Sequence, residues 1–151
     1  MQEIDELVET QKLQARLSEY WHDVDTNWGR NAGGYYTEDA VFETRRASYQ
    51  GRKQIEEFYR WRVDQGPRVA VHAITNFRVA FHGDSHATST WYLILFAMNG
   101  KPVLPTAPPI QIALMSDTCV KVAGQWLYSR RKFDTLFEGG VPVTNPVLAK
   151  G

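Results

Sequence analysis

The sequence contains a single cysteine, Cys119, and no apolar run that approaches the length of a membrane span. A lone cysteine excludes a disulfide framework and a cysteine-based metal site. Seventeen basic and seventeen acidic side chains cancel, so the chain lacks the positive excess on which nonspecific nucleic-acid binding depends. The charged N-terminus also lacks the apolar segment of a signal peptide. These absences predict a soluble, cytoplasmic protein with neither a membrane nor a nucleic-acid partner.

Aromatic residues, in contrast, are abundant: five Trp, seven Tyr and seven Phe in 151 residues. With a hydrophobic fraction of 43 %, they suffice for one domain with a sizeable core over residues 1–151. Two interpretations stay open at this point. The aromatic side chains either fill that core or line a cavity for a flat, apolar ligand.

The first half of the chain combines helical spacing with a short strand-like segment. The predicted elements are a helix over 3–28 ended by Gly29, a helical turn and loop over 30–39, a strand over 40–44, a turn over 50–52, and a helix over about 53–65. From residue 69 onward the hydrophobic period is two. The predicted strands are 69–81, 87–98, 110–122 and 125–137.

The order of these elements predicts an α+β fold, in which helices pack on one face of a curved antiparallel sheet and leave a pocket between them. Two segments have no periodicity. The loop over 102–109 contains four prolines, and the tail over 139–151 contains glycine and proline. Both are long for simple connections.

The N-terminal helix carries two carboxylates near its end, and helical geometry gives them different surroundings. One helix face collects the apolar residues Leu13, Leu17, Trp21, Val24 and Trp28. Asp23 is predicted to lie opposite this face, as a solvated charge. Asp25 is predicted on its shoulder, one turn after Trp21. A carboxylate beside tryptophans is costly to desolvate unless it is paired, so we expect a partner for Asp25 elsewhere in the chain.

Four phrases of the sequence resemble, in this order and spacing, the SnoaL-like branch of the NTF2-like (cystatin-like) superfamily: Y-T-E-D-A-V-F-E, G-R-K-Q-I-E-E-F, V-H-A-I-T-N-F-R-V and G-Q-W-L-Y-S-R-R. The resemblance covers about residues 5–137. It implies an NTF2-like cone, with N-terminal helices on a curved antiparallel sheet that encloses a pocket. It also implies a homodimer or higher homo-oligomer and an activity without a cofactor. In similar proteins the C-terminal segment covers the mouth of the cone, so the tail over 139–151 is expected to act as a lid.

Within this superfamily the chain is similar to scytalone dehydratase and hexachlorocyclohexane dehydrochlorinase, which implies a catalytic pair. His72 matches their catalytic histidine, and Asp25 matches the aspartate that pairs with it. Such a carboxylate fixes the imidazole tautomer and stabilises the imidazolium. We therefore expect activity to rise with pH through a group at ~6.5 or somewhat above. The alternative is a histidine at the edge of the core with a structural hydrogen bond.

The last strand carries two arginines, Arg130 and Arg131, which point to opposite faces by alternation. The dehydrochlorinase resemblance implies that one of them steadies the leaving group, and Arg131 is the favoured candidate. The alternative is a pair of surface arginines bound to carboxylates. Two features of scytalone dehydratase do not transfer, because Thr44 and Ala97 occupy the positions of its catalytic tyrosine and its second histidine.

Further side chains are predicted to contact the substrate: Trp21, Trp28, Tyr20, Tyr35, Phe42, Tyr92 and Arg130. The H-G-D-S-H segment from His82 to His86 superficially suggests a metal site. Its spacing is that of a hairpin turn, and we expect no metal there.

The function expected from the sequence is a cofactor-independent lyase. His72 abstracts a proton from a small apolar or aromatic substrate, with loss of water, halide or a small carbonyl fragment. Release of formaldehyde from a lignin-derived diaryl compound is one such reaction. The alternatives are a ketosteroid-type isomerase and a non-catalytic module for ligand binding or dimerisation.

Overall fold

The structure, a computed structural model, describes residues 1–139, which form two α-helices and one six-stranded sheet. The helices are α1 (Glu3–Asn27) and α2 (Arg52–Asp64), with a short 3₁₀ helix at Ala32–Tyr35. The strands are β1 (Tyr36–Glu43), β2 (Ser48–Gln50), β3 (Arg68–Phe81), β4 (His86–Asn99), β5 (Gln111–Val122) and β6 (Gln125–Glu138). None of the helices in this part of the chain is long and apolar enough to cross a membrane.

The strands are arranged in the order β2-β1-β6-β5-β4-β3. All neighbours are antiparallel except β1 and β6, which are parallel. The predicted four-stranded meander is confirmed as β3 to β6. The strand predicted at 40–44 begins earlier, at Tyr36, and β2 was not predicted. Its three residues are too few to display a period of two, although Tyr49 pairs with Phe42 across the hairpin.

The end of α1 packs closely against α2. Trp28, with φ 62°, and Gly29, with φ 71°, both adopt the left-handed backbone conformation that terminates the helix. A Cβ atom on Gly29 would lie 2.4 Å from Cδ1 of Tyr59, so only glycine fits here. Helix α1 therefore ends at Asn27, one residue earlier than predicted, and its last turn is fixed against the second helix.

The core lies between the helices and the concave face of the sheet. Alternation in β4 buries every second residue on this face: Ala87, Ser89, Trp91, Leu93 and Leu95. The apolar side of α1 covers them with Leu13, Leu17, Tyr20 and Trp21. The α+β cone expected from the sequence is confirmed. The predicted lid lies, from residue 140 onward, outside the described residues.

Candidate active site

A cavity of about 410 Å³ remains between α1, α2 and the concave face of the sheet. Seven aromatic side chains line it: Trp21, Trp28, Phe42, Tyr49, Phe58, Tyr59 and Phe133. A volume of this size is typical of sites for small organic ligands. The aromatic residues thus serve both roles that the composition left open, because they build a core and also line a cavity.

Asp25 and His72 lie in this wall and form two hydrogen bonds with each other. Oδ1 of Asp25 is 2.6 Å from Nδ1 of His72, and Oδ2 accepts the backbone N–H of His72 at 2.9 Å. Because a carboxylate accepts hydrogen bonds, Nδ1 carries the proton of the neutral ring. Nε2 is then the basic nitrogen, and no residue within 1–139 forms a hydrogen bond with it.

The ring plane of His72 is fixed by Trp21. The two rings stack with centroids 4.3 Å apart and an interplanar angle of 11°. Trp21 precedes Asp25 by one helical turn, so a single helix supplies both the stacking surface and the hydrogen-bond acceptor. From its place on the helix face, Asp25 was predicted to have a partner elsewhere in the chain. This geometry agrees with that prediction.

The surroundings of His72 favour its neutral form. Burial lowers the pKa of the imidazole, Asp25 opposes this, and the positive charges of Arg68 and Arg62 lower the pKa further. The side chain is only 12 % exposed. The net direction is a pKa below the usual value of ~6.5. This corrects the value at or above 6.5 expected from the sequence, where the two arginines were not considered.

The opposite rim of the cavity is polar. Arg45 and Arg46 both form ion pairs with Glu138, the last residue of β6. Thr44 and Gln111 also line the cavity. A hydroxyl group and an amide therefore face the cavity, together with a carboxylate that is already paired.

The structure brings only some of the predicted substrate contacts to the cavity. Trp21, Trp28 and Phe42 line it, whereas four predicted residues do not: Tyr20, Tyr35, Tyr92 and Arg130. Tyr35 packs under the guanidinium of Arg16, 4.4 Å from its ring centroid, on the outer side of α1. Tyr92 follows Trp91 and so points to the convex face of the sheet. Arg130 is exposed and pairs with Glu43 at 3.5 Å.

Arg131 points to the interior, as predicted, but it does not line the cavity. It is completely buried and holds Asp117 through two hydrogen bonds, Nε to Oδ1 at 2.7 Å and Nη2 to Oδ2 at 2.9 Å. The rings of Tyr128 and Tyr20 lie 4.0 and 4.7 Å from its guanidinium carbon. The predicted direct contact between Arg131 and a leaving group is corrected by this placement.

A chain of tyrosine hydroxyls connects Arg131 to the cavity. Nη1 of Arg131 donates to the hydroxyl of Tyr36 at 3.4 Å, and Tyr36 donates to Tyr20 at 2.7 Å. Tyr20 is hydrogen-bonded in turn to Tyr59, which lines the cavity. Burial raises the pKa of all three tyrosines well above the usual value, so they stay protonated. Tyr20 therefore acts behind the cavity wall and not on its surface.

Asp23 is not the solvated charge that the helical phase predicted. It is 8 % exposed, and its Oδ1 accepts the side-chain amides of Asn27 and Asn31 at 2.8 and 3.0 Å. Its Oδ2 accepts the backbone N–H of Asn31 at 3.0 Å. The chain folds back over this side of α1 directly after the helix, and Asp23 holds that turn. Its role is structural.

Two arginines of the site, Arg62 and Arg68, were missed by the sequence reasoning although both had a signal. Arg68 and His72 are four positions apart on β3, so they share a face with Ala70 between them. Arg62 follows Phe58 by one helical turn and shares its side of α2. Attention to apolar positions alone overlooked the charged residues on the same faces.

The residues of the H-G-D-S-H turn bind one another and the adjacent strand. His82 Nε2 is 3.0 Å from the hydroxyl of Thr88, and His86 Nδ1 is 3.1 Å from the hydroxyl of Ser85. Among residues 1–139, no group of three or more His, Cys, Asp or Glu side chains is arranged to hold a metal ion.

Comparison with known proteins identifies the family. Residues 4–132 match the model of the SnoaL-like domain. The chain belongs to this family. Membership suggests a lyase- or isomerase-type enzyme. A search of curated proteins gives no match.

Solved structures with this fold are numerous. One example is a variant of Rv3472, a Mycobacterium tuberculosis protein of unknown function, with 21 % identity over 89 % of this chain and 76 % of that chain and a TM-score of 0.75. A proposed scytalone dehydratase from Novosphingobium aromaticivorans has 22 % identity over 94 % of this chain and 95 % of that chain, with a TM-score of 0.74. ActVI-ORFA from Streptomyces coelicolor has 16 % identity over 83 % of this chain and 95 % of that chain, with a TM-score of 0.68. At these identities the likeness concerns the fold alone.

Proposed function

We propose that this SnoaL-like protein is a cofactor-independent lyase in which Nε2 of His72 is the general base. The observation that carries the proposal is the Asp25–His72 hydrogen bond of 2.6 Å in the wall of a cavity lined by aromatic rings. Asp25 holds the ring in the tautomer with a free Nε2 and stabilises the imidazolium after proton transfer.

The reaction begins with transfer of a substrate proton to Nε2. The electron pair of the broken C–H bond forms a new C=C bond, and hydroxide or halide departs with the electrons of its own bond. In the aldehyde-releasing variant the proton comes from a primary hydroxyl. The adjacent C–C bond then breaks, formaldehyde leaves, and the electron pair expels a neighbouring hydroxide. His72 returns its proton to the departing group or to solvent.

The substrate class follows from the cavity wall. Aromatic rings favour a small apolar or aromatic molecule, and lignin-derived diaryl compounds are candidates because they combine flat rings with a removable hydroxymethyl group. Wild-type protein incubated with such compounds, and with extracts of small molecules, should deplete one of them as judged by mass spectrometry. His72→Ala should leave that compound unchanged.

Arg131 is proposed to act on the developing negative charge at a distance. Its guanidinium orients Tyr36, Tyr36 orients Tyr20, and Tyr20 orients Tyr59 beside the cavity. If each hydroxyl donates to the next, the hydroxyl proton of Tyr59 is left for a substrate oxygen. Arg131 is then a positioning residue and Tyr59 the group that meets the substrate.

The pH dependence of kcat/KM tests the state of His72. Activity requires the neutral ring, so it should be low in acid and rise as His72 loses its proton. Burial and the two nearby arginines lower the pKa of His72, which places the midpoint of this rise below ~6.5. A pH–rate profile between acid and neutral conditions measures it. A midpoint well above the usual histidine value would contradict this environment.

The alternatives have less support. A ketosteroid-type isomerase uses a carboxylate base deep in its cavity. Among the described residues, the carboxylates that line the cavity belong to Asp25 and Glu138, and both are already paired. A non-catalytic module would not need the Asp25–His72 contact. Binding of a compound without any turnover would favour it.

The proposal includes a homodimer formed through the convex face of the sheet. Val71 on β3 and Phe96 on β4 are paired across the strands and are 50 % and 40 % exposed, which is unusual for adjacent large apolar residues. We expect sedimentation at twice the chain mass of 17.3 kDa, and a monomer when both residues are replaced by glutamate. A wild-type monomer would contradict the dimer and leave the cavity chemistry untouched.

A further inference from the structure

A neutral polar pair, Gln111 on β5 and Thr135 on β6, lies in the wall of the cavity. Nε2 of Gln111 donates to the hydroxyl oxygen of Thr135 at 3.0 Å, and both residues are half-buried. The register between β5 and β6 shifts beside Ala113, where β6 has one extra residue. The shift brings Thr135 to the same concave face as Glu138, the strand partner of Gln111. An amide and a hydroxyl therefore lie side by side in a cavity that is otherwise rich in aromatic rings.

The bond between these two side chains uses only part of their hydrogen-bonding capacity. Within residues 1–139 it is the one side-chain hydrogen bond that either residue forms. The hydroxyl hydrogen of Thr135 and the amide oxygen of Gln111 are left for other partners. If the amide is turned over, an amide hydrogen and the hydroxyl oxygen are left instead, so the pair offers one donor and one acceptor in either orientation.

The hydroxyl of Thr44, which also lines the cavity, is used differently. It donates to the carbonyl oxygen of Ala47 at 3.2 Å and accepts the backbone N–H groups of Arg46 and Ala47 at 3.2 and 2.9 Å. Thr44 thus holds its own turn. Among these polar groups, the pair on β5 and β6 is the one with capacity to bind a ligand.

The register of the sheet sets the distance between this pair and His72. His72 is paired with Leu95, and Leu95 is paired with Gln111, so the three residues lie in one row across β3, β4 and β5. Neighbouring strands are about 4.8 Å apart, which places the backbone of Gln111 about 10 Å from that of His72. All three residues line the cavity. The space between the histidine and the polar pair is therefore suited to one aromatic ring with a short arm.

We propose that Gln111 and Thr135 bind a neutral hydroxyl group of the substrate, at the end of the molecule away from the bond that His72 breaks. A hydroxyl suits the pair because it accepts a hydrogen bond from one side chain and donates to the other. Together with the bond between Gln111 and Thr135, it closes a ring of three hydrogen bonds, each of which polarises the next. A carboxylate or an ether has no hydrogen to donate to the amide oxygen.

The substrate class narrows accordingly to phenols with the reacting arm opposite the hydroxyl on the ring. The direction of that arm rests on the proposed function, in which His72 takes the proton. Binding of the hydroxyl itself does not require turnover.

The test compares three neutral ligands by NMR chemical-shift titration of the wild-type protein. They are tyrosol, which has a phenol opposite an alcohol arm, its phenolic methyl ether, and phenethyl alcohol, which lacks the phenolic oxygen. Tyrosol should bind about tenfold more tightly than phenethyl alcohol, because it gains two hydrogen bonds, and more tightly than the ether, which cannot donate. Contact with the aromatic wall alone would give the opposite order, because both comparison ligands are more apolar than tyrosol.

Variants of the pair should change this order. Gln111→Leu keeps the approximate size of the side chain and removes its hydrogen bonds, so the ether should then bind more tightly than tyrosol. Thr135→Val should reduce the preference for tyrosol, and Thr135→Ser should retain it.

Gln125→Leu and Thr118→Val are the matched controls. Gln125 is exposed at the start of β6, and Thr118 lies on β5 an odd number of positions from Gln111 and so on the convex face. Neither residue lines the cavity, so both variants should keep the wild-type order.

Two results with wild-type protein would overturn the proposal whatever the variants do. Tyrosol would bind no more tightly than phenethyl alcohol, or it would not bind at all. A folded Gln111→Leu protein that keeps the full preference for tyrosol would also overturn it, and the pair would then serve the sheet alone.

The same titrations separate the hydroxyl site from the proposed reaction. His72→Ala should keep the preference for tyrosol, because the polar pair is unchanged. Loss of the preference in this variant would mean that the phenol lies at His72, and the hydroxyl site would be wrong. If His72→Ala keeps the preference and proves as active as wild type, the proposed base is wrong and the hydroxyl site stands. If turnover depends on His72 but tyrosol has no advantage, the hydroxyl site is wrong and the base stands.

Discussion

Replacing His72 by alanine is expected to lower kcat by about 10²–10⁴-fold, the usual contribution of a positioned general base. The reason is the loss of Nε2, the basic nitrogen of the ring that stacks on Trp21. Asp25→Asn should cost a comparable factor by a different route. An asparagine amide that donates to Nδ1 would force the proton onto Nε2, and the ring could no longer accept a proton from the substrate. Single-turnover rates on the identified substrate measure both effects.

The two side chains should behave as one unit. The double variant, with His72→Ala and Asp25→Asn, is expected to be little slower than His72→Ala alone, because Asp25 acts only through the ring. If the rate loss of the double variant instead equals the product of the two single losses, Asp25 has a second role in the reaction. Turnover by His72→Ala at the wild-type rate would remove the histidine from the mechanism.

Asp23 provides a matched control for the same substitution on the same helix. Asp23→Asn replaces an acceptor of the Asn31 backbone N–H and should cost about 1–3 kcal/mol of the free energy of unfolding. The rate per folded molecule should stay near that of wild type. If Asp23→Asn loses turnover while Asp25→Asn keeps it, the active site must lie on the other face of α1.

The contrast between Asp23 and Asp25 illustrates what the sequence could predict. The period of 3.6 places Asp25 beside Trp21 and predicts that the carboxylate needs a partner, whereas the family resemblance, and not a local pattern, identified His72 as that partner. Asp23 was misplaced because Asn31, which donates to it from both its backbone and its side chain, lies in a turn that folds back on the helix. The conformation of that turn depends on the left-handed residues Trp28 and Gly29, which the helical phase does not describe.

The same limit explains the other differences. Strand β2 is held by pairing with β1 and is too short for any periodicity of its own. Tyr20 was expected in the cavity, but side-chain identity does not reveal that Tyr59 lines the cavity in its place and that Tyr20 lies behind Tyr59. For Arg131, strict alternation from Trp126 would give the wrong face, because the register between β5 and β6 shifts just before Arg130 and reverses the phase of the strand. Whether an inward arginine meets a ligand or a buried carboxylate depends on Asp117, which lies on a neighbouring strand, and only the sheet register decides that.

The buried pair of Arg131 and Asp117 leads to the second large effect. Asp117→Asn leaves a fully buried guanidinium without its counter-charge, and Arg131→Met leaves a buried carboxylate in the same condition. Each should cost about 3–5 kcal/mol of the free energy of unfolding. Denaturant titration measures the loss. Arg130→Gln is the neighbouring control, and it should change stability little because Arg130 is exposed.

The double variant, Arg131→Met with Asp117→Asn, separates stability from catalysis. It removes both charges and keeps an amide oxygen to accept Nε1–H of Trp91, which donates to Asp117 at 2.9 Å. We expect it to recover most of the stability lost in either single variant. If Arg131 orients the tyrosine chain towards Tyr59, this stable variant should still show a reduced kcat with little change in KM. If kcat recovers together with stability, the arginine serves the fold alone. The negative charge that develops on the substrate would then have to be stabilised by a group that lines the cavity itself.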